Sequence, residues 1–318
     1  MAENTTPGAG GQVGAGTNAG LADRGTPANR PLGRAEGGEN SPKALAFLVV
    51  MWVALAFALL FLLTLIVTTF VEGLPRLDSR LLTEYPASDP EEAGAKPAIL
   101  GSLWVIGTTA VMAIPLGVAA AVYLEEFSDR TKWFNRVIEL NVQNLAAIPS
   151  VVYGLLTLAF LSFFGVGNKN MVIVGATALA LLILPVIIIS TREALRSVSV
   201  EIRQGSLALG ATPLQTTWLQ TLPAAVPGIA TGSILALSRA FGEAAPLLVL
   251  GGLVFLSFDP NGILSGYTTM PIQIFNWVGR PQAGFHVLAA AASILLLVLL
   301  LAMNGLAIFI RNHYQRRW

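Results

Sequence analysis

The sequence predicts an all-α membrane protein: six transmembrane helices behind a disordered N-terminal tail. Three observations carry this. Of the 318 residues, 54% are hydrophobic and 12% charged, where a soluble domain has roughly 25% charged residues. Apolar runs recur along the chain that reach the ~20 residues needed to cross a bilayer as a helix. Residues 1–42, by contrast, are rich in Gly, Thr, Asn, Ala and Pro without apolar periodicity, the composition of a disordered segment, here a cytoplasmic tail.

The first apolar run, Ala44–Val71, spans 28 residues. It is too long for a signal-peptide core, and no A-x-A cleavage pattern follows. It predicts an uncleaved first transmembrane helix over 43–72. The second span lies in Pro97–Phe127, with Pro115 inside it. The third covers about Arg136–Phe164, interrupted by Pro149. The fourth covers about Met171–Ser190, with Pro185 inside. The fifth runs from near Pro223 to near Phe255, and the sixth covers about Phe285–Ile310. These bounds give a core domain over 97–310 and a short basic C-terminus over 311–318. Prolines are tolerated in such spans because neighbouring helices and polar side chains satisfy the freed backbone groups.

Orientation follows from Lys and Arg. With the N-terminus inside, the inner segments hold Arg24, Arg30, Arg34, Lys43, Arg130, Lys132, Arg136, Arg192, Arg196, Arg203, Arg311, Arg316 and Arg317. The outer segments hold only Arg76, Arg80, Lys96, Lys169 and Arg280. Both termini are then cytoplasmic. The acidic outer loop Glu72–Lys96 reads as a solvated face.

Several chemistries are excluded. The chain has no cysteine, so it holds no disulfide, thiolate metal site or cysteine nucleophile. His286 and His313 lie far apart, without metal-ligand spacing. No G-x4-G-K-[ST] motif occurs, and GAGGQVGAG in the tail lacks both a lysine and a flanking strand. The chain is therefore not an ATPase. It is expected to bind no cofactor or nucleic acid and to draw energy from a partner or an ion gradient.

Arg239 and Glu243 stand inside the apolar stretch Ile234–Phe255. Ionisable groups at membrane depth cost from about 2.5–3.5 kcal/mol to ten or more. In one continuous helix both share a face with Gly232, Pro246 and Leu250. Physics alone leaves two readings open: a structural pair that fixes packing, or a polar pathway. Ser150, Tyr153 and Asn144 flank the proline of the third span. They either line a path or satisfy backbone loosened by Pro149. Thr108 and Thr109 more commonly bond to their own helix. Trp277, Trp133 and Tyr123 read as an interfacial aromatic belt, His286 as a structural interfacial residue, and Glu193 and Arg196 as solvated charges.

The longest inner connection, Thr191–Leu222, is TREALRSVSVEIRQGSLALGATPLQTTWLQTL. It is amphipathic, with Leu195, Val198, Ile202, Leu207, Leu209 and Trp218 as its apolar contacts. Gly210-Ala211-Thr212-Pro213 predicts a helix end followed by a helix start. A helix–turn–helix at this place suits docking of a soluble partner; a helix lying on the membrane is the plainer alternative.

RQGSLALGATPLQTTWLQTLP resembles the EAA loop of ABC importer permeases, E-A-A-x3-G-x9-I-x-L-P. Gly210 and Leu222-Pro223 fall in register, and Gly205 and Ser206 keep the small-residue character. Gln204 replaces the usual Glu, and Gln220 stands at the usual Ile. NLAAIPSVVYGL (Asn144–Leu155), LPVIIISTREALRSV (Leu184–Val198), LSRAFGEAAPLLVLGG (Leu237–Gly252) and PIQIFNWVGRPQAGFHVLAAAA (Pro271–Ala292) resemble, more narrowly, the PstA-type permease subunits of phosphate ABC importers.

The resemblance implies a type I ABC importer permease bundle in the bacterial inner membrane. It implies partners: a second homologous, PstC-like permease, two PstB-like ATPases that use ATP and Mg, and an extracytoplasmic PstS-like phosphate-binding protein. It implies ATPase docking by 191–223 through Arg203, Gln204, Gly205, Ser206, Gly210, Ala211, Thr212, Leu222 and Pro223. It also favours a substrate pathway at Arg239, Glu243, Ser150 and Tyr153. There Arg239 offers a planar fork to phosphate oxygens, and Glu243 holds Arg239 when the path is empty. The alternatives are a permease for another oxyanion, an ion-coupled transporter or channel using Arg239–Glu243 as a relay, and a role in phosphate sensing.

Overall fold

The computed structural model describes residues 42–129, 131–165, 169–252 and 255–314. The expected tail lies outside these residues up to 41, as does the end of the basic C-terminus, 315–318. The chain divides into two compact units between Leu62 and Leu63. The boundary falls within the first helix, α1 (Pro42–Gly73).

The first unit holds the N-terminal part of α1. Its large apolar side chains are exposed, the surface of a helix whose solvent is lipid. The second unit begins with the rest of α1, followed by a short helix α2 (Ser79–Thr83) capped by the Asp78 carboxylate, which accepts from the Leu81 N–H.

Three long helices form the centre of the second unit. They are α3 (Lys96–Val122, continued as a π turn over Tyr123–Phe127), α6 (Val172–Arg196) and α9 (Leu222–Phe241). α6 lies in the middle. Its Leu179, Ile183 and Ile187 pack with Val105, Ile106 and Ala113 of α3 and with Ala236, Ala240 and Phe241 of α9. Small residues at these contacts let the backbones approach, and close van der Waals packing is what drives helix association in lipid. The first N–H groups of α6 have no partner within the helix. The loop before α11 (Met270–Val278) supplies them: Val172 donates to the Ser265 carbonyl at 3.0 Å and Ile173 to that of Ile263 at 2.8 Å. The last helix is α12 (Ala283–Tyr314).

Among the described residues, five helices are long and apolar enough to span a membrane, or six if the bent pair α4 (Trp133–Leu145) and α5 (Ser150–Phe163) is one span. That pair corrects the expected third span, because its halves meet at 114°. Pro149 cannot continue α4 and disfavours helical geometry at Ile148. The polar content of α4, from Asn135 to Asn144, favours a helix along the membrane surface over one through it.

The expected fifth span is also corrected. α9 stops at Phe241, Gly242 caps it, and a separate short helix, α10 (Ala245–Val249), follows. Pro246 and Leu250 therefore do not continue the α9 stripe of Gly232 and Arg239. The fourth span is longer than expected and takes in Thr191–Arg196. Trp277 is not an interfacial anchor: it is fully buried beside Leu81, Met270 and Phe285. Trp133 and Tyr123 are exposed, as belt residues are.

Candidate functional site

Arg239 lies in the last turn of α9, where the helix dipole favours a cation. Glu243 lies just past the Gly242 cap. Its backbone N–H donates to the Ala240 carbonyl at 3.2 Å, which folds the chain back toward α9. Arg239 Nε and Glu243 Oε1 stand 3.8 Å apart, with side-chain exposures of 49% and 22%. This is a loose, half-open pair, unlike a closed structural bridge. Glu243 also borders a narrow gap with Ser102 of α3 and Thr269 ahead of α11. Neither hydroxyl was singled out in the sequence.

Tyr153 is buried, and its hydroxyl donates to the Leu145 carbonyl at 2.6 Å. It thus satisfies a backbone group freed at the α4–α5 break, and it lies within the electrostatic reach of Arg239. Ser150, half-buried, opens α5, while Asn144 is exposed. Gly154 brings α5 onto α10: a Cβ there would stand 2.6 Å from the Pro246 carbonyl oxygen and 2.9 Å from its Cα. Gly154→Ala is expected to cost about 1–3 kcal/mol through overpacking against rigid backbone, read as a lower thermal midpoint in detergent. Thr108 and Thr109 donate to their own helix at Trp104 and Val105. His286 Nε2 bonds to the Arg280 carbonyl oxygen at 2.7 Å.

The predicted docking segment is built from α7 (Val200–Ala208), a turn, α8 (Pro213–Thr216) and a π turn that runs into α9 at Leu222. Ser199 caps α7 by accepting from the Glu201 N–H. Gly210 has φ +87°, the left-handed geometry that ends helices. Thr212 and Gln215 form a reciprocal capping box that starts α8. The helix end and helix start read from Gly210–Pro213 are both present. Gln204, Gly205, Gly210, Thr212 and Pro223 are exposed, and Ser206, Ala211 and Leu222 are half-buried. Leu209 is 91% exposed and borders an open groove of about 350 Å³ with Ile202, Gly205, Ala211 and Leu219.

Arg203 points the other way. Its Nη2 donates to the Leu195 carbonyl at 2.6 Å and stands 3.0 Å from Glu126 Oε1. The contact with Glu126 is an ion pair without hydrogen-bond alignment.

Beside it lies a charged cluster not foreseen as a site. Glu125, its side chain 3% exposed, accepts from Arg192 Nε at 3.1 Å and from Arg196 Nε at 2.9 Å. Arg192 also donates to Glu139 of α4 at 2.8 Å. Arg196 is exposed, as read from the sequence, and is also paired with Glu125. The sequence signal was there: two carboxylates end one span, and Arg192 and Arg196, four apart, end another.

Residues 113–317 match the family model described as "Binding-protein-dependent transport system inner membrane component". The chain is 34% identical to "Phosphate transport system permease protein PstA 1" of Mycobacterium tuberculosis, over 72% of this chain and 74% of that protein. It is 28% identical to "Phosphate transport system permease protein PstA" of Haemophilus influenzae, over 84% and 92%. The fold is similar to that of a bacterial alginate ABC transporter (TM-score 0.61, 16% identity, 83% of this chain and 93% of that one). It is also similar to the MetNI methionine ABC transporter (TM-score 0.57, 20% identity, 72% and 100%). The chain belongs to the binding-protein-dependent transport system inner membrane components, as a PstA-type permease of an ABC importer.

Proposed function

We propose that this chain is the permease subunit of an ATP-driven phosphate importer, and that Arg239 is the anion-reading residue of its half of the translocation path. The observation that carries this is the continuity of α9. One end of that helix leaves the docking segment at Leu222-Pro223, and the other ends at Arg239 and the loose pair with Glu243. A displacement of the docking segment therefore acts on the helix that bears the charge. Phosphate as substrate rests on the relatives named for phosphate transport.

In this reading both termini face the cytoplasm. A second homologous permease completes the path, an extracytoplasmic binding protein delivers phosphate, and two ATPase subunits seat on the docking segments of the two permeases. The ATPases hold ATP and Mg; this chain binds neither. Switching between outward and inward states follows from the ATPases favouring one of two packed arrangements.

The test is uptake by the complete transporter in proteoliposomes. Phosphate uptake is expected to require ATP and to resist excess sulfate. ATP-independent uptake would favour the ion-coupled alternative, and equal competition by sulfate would assign the path to oxyanions in general.

A further inference from the structure

α7 buries none of its residues in the bundle. Its side-chain ties are polar: the Ser206 hydroxyl meets that of Thr216 at 2.9 Å within the docking segment itself, and Arg203 reaches out of the segment to the Leu195 carbonyl and to Glu126. One guanidinium therefore fastens α7 to the ends of two spanning helices.

Glu126 is adjacent to Glu125 on the π turn that ends α3. Glu125 holds Arg192 and Arg196 of α6, and Arg192 holds Glu139 of α4. From α4 the connection continues through the 114° bend, where the Tyr153 hydroxyl ties α5 to the Leu145 carbonyl. On α5, Gly154 seats against Pro246, three residues beyond Glu243. The charged cluster and the elbow thus form a second route from the docking segment to the turn that bears Glu243, separate from α9.

We infer that Arg203 and Glu126 are positioning residues, a charged joint that passes movement of the docking segment through Glu125, Arg192 and Glu139 to the α4–α5 elbow. Arg192 and Glu125 are buried, at 7% and 3% side-chain exposure, and separating buried opposite charges leaves each uncompensated. That central pair therefore moves as a unit and transmits displacement instead of absorbing it. α9 carries Arg239, and the joint acts on α5, which seats on α10 at Pro246. The two routes together move both sides of the Arg239–Glu243 turn. This inference rests on the reading of 191–223 as the ATPase docking segment, of which α6 takes in Thr191–Arg196.

The experiment uses the complete transporter in proteoliposomes and measures phosphate taken up per ATP hydrolysed. Arg203→Glu and Glu126→Arg are each expected to lower that ratio by about tenfold or more while the ATPase stays bound. The double exchange is expected to restore at least about half of it, as coupling between contacting residues requires. A purely structural role would lower expression or assembly and leave the ratio unchanged. The chain has no cysteine, so Gln204→Cys gives a unique crosslinking site for docking in the otherwise native chain.

An intact crosslink with an unchanged ratio in both single variants overturns the joint alone. Loss of the ATPase from both single variants also overturns it, by making Arg203 a docking contact. A missing crosslink from Gln204→Cys overturns the docking reading, and the joint with it.

Discussion

Arg239→Gln is expected to abolish phosphate uptake, by at least about 100-fold, in a transporter that still assembles. The two halves of that expectation have separate grounds. Assembly survives because little of the fold depends on the guanidinium: its side chain is half-exposed and its contact with Glu243 is 3.8 Å long. Pairs of this kind contribute roughly 0–1 kcal/mol. Uptake fails because glutamine offers no charge. Hydrogen bonds to charged groups are worth about 1.5–3 kcal/mol each, and a guanidinium makes two in parallel to an oxyanion. The measurement is uptake by reconstituted transporter, with subunit stoichiometry from the same preparation. Arg239→Lys keeps the charge and loses the fork, so it is expected to fall between the two. Wild-type uptake by Arg239→Gln would sink the pathway assignment and return the pair to a packing role.

The features legible in the sequence were local ones. Apolar length marked the spanning segments, and Gly210 with Thr212-Pro213 marked the helix end and start, because a left-handed glycine and an N-cap act within a few residues. The breaks were harder. GEAAP carries no proline until Pro246, so the sequence pattern runs on past the end of α9 at Phe241. Only the fold shows that Gly242 caps the helix and that Arg239 and Glu243 meet around a helix end. At Pro149 the break was visible but its angle was not. A proline removes a donor and perturbs the residue before it, yet whether the chain kinks or turns is decided by packing: here the Tyr153 hydroxyl on Leu145 and Gly154 on Pro246.

The charged cluster was the least legible. Arg192 and Glu125 are 67 residues apart in sequence, and Arg192 and Glu139 are 53. Each charge by itself looks like one more solvated residue at a membrane margin. Burial of Glu125 is what distinguishes the cluster, and burial there depends on α3, α4 and α6 meeting at one place.

Gly210→Val is expected to uncouple ATP hydrolysis from transport. The residue sits at φ +87°, and no atom outside its immediate neighbours lies within 4 Å of where its Cβ would stand. Space is therefore not the obstacle; backbone geometry is. A left-handed residue with a Cβ costs about 1–2 kcal/mol, and a β-branched one is disfavoured further. The turn relieves that strain by changing shape, which re-aims α7 relative to the capping box that starts α8. The bundle is spared, since Gly210 is exposed and far from the packed centre of α3, α6 and α9. Hydrolysis is expected to continue while uptake per ATP falls by about tenfold. Gly210→Asn is the control, because asparagine tolerates the left-handed region. It adds a side chain of similar bulk yet is expected to keep most of the coupling. If Val and Asn impair equally, side-chain contact at the docking surface is responsible instead of turn geometry. If Gly210→Val transports normally, the segment from Val200 to Thr221 is not the element that the ATPase moves.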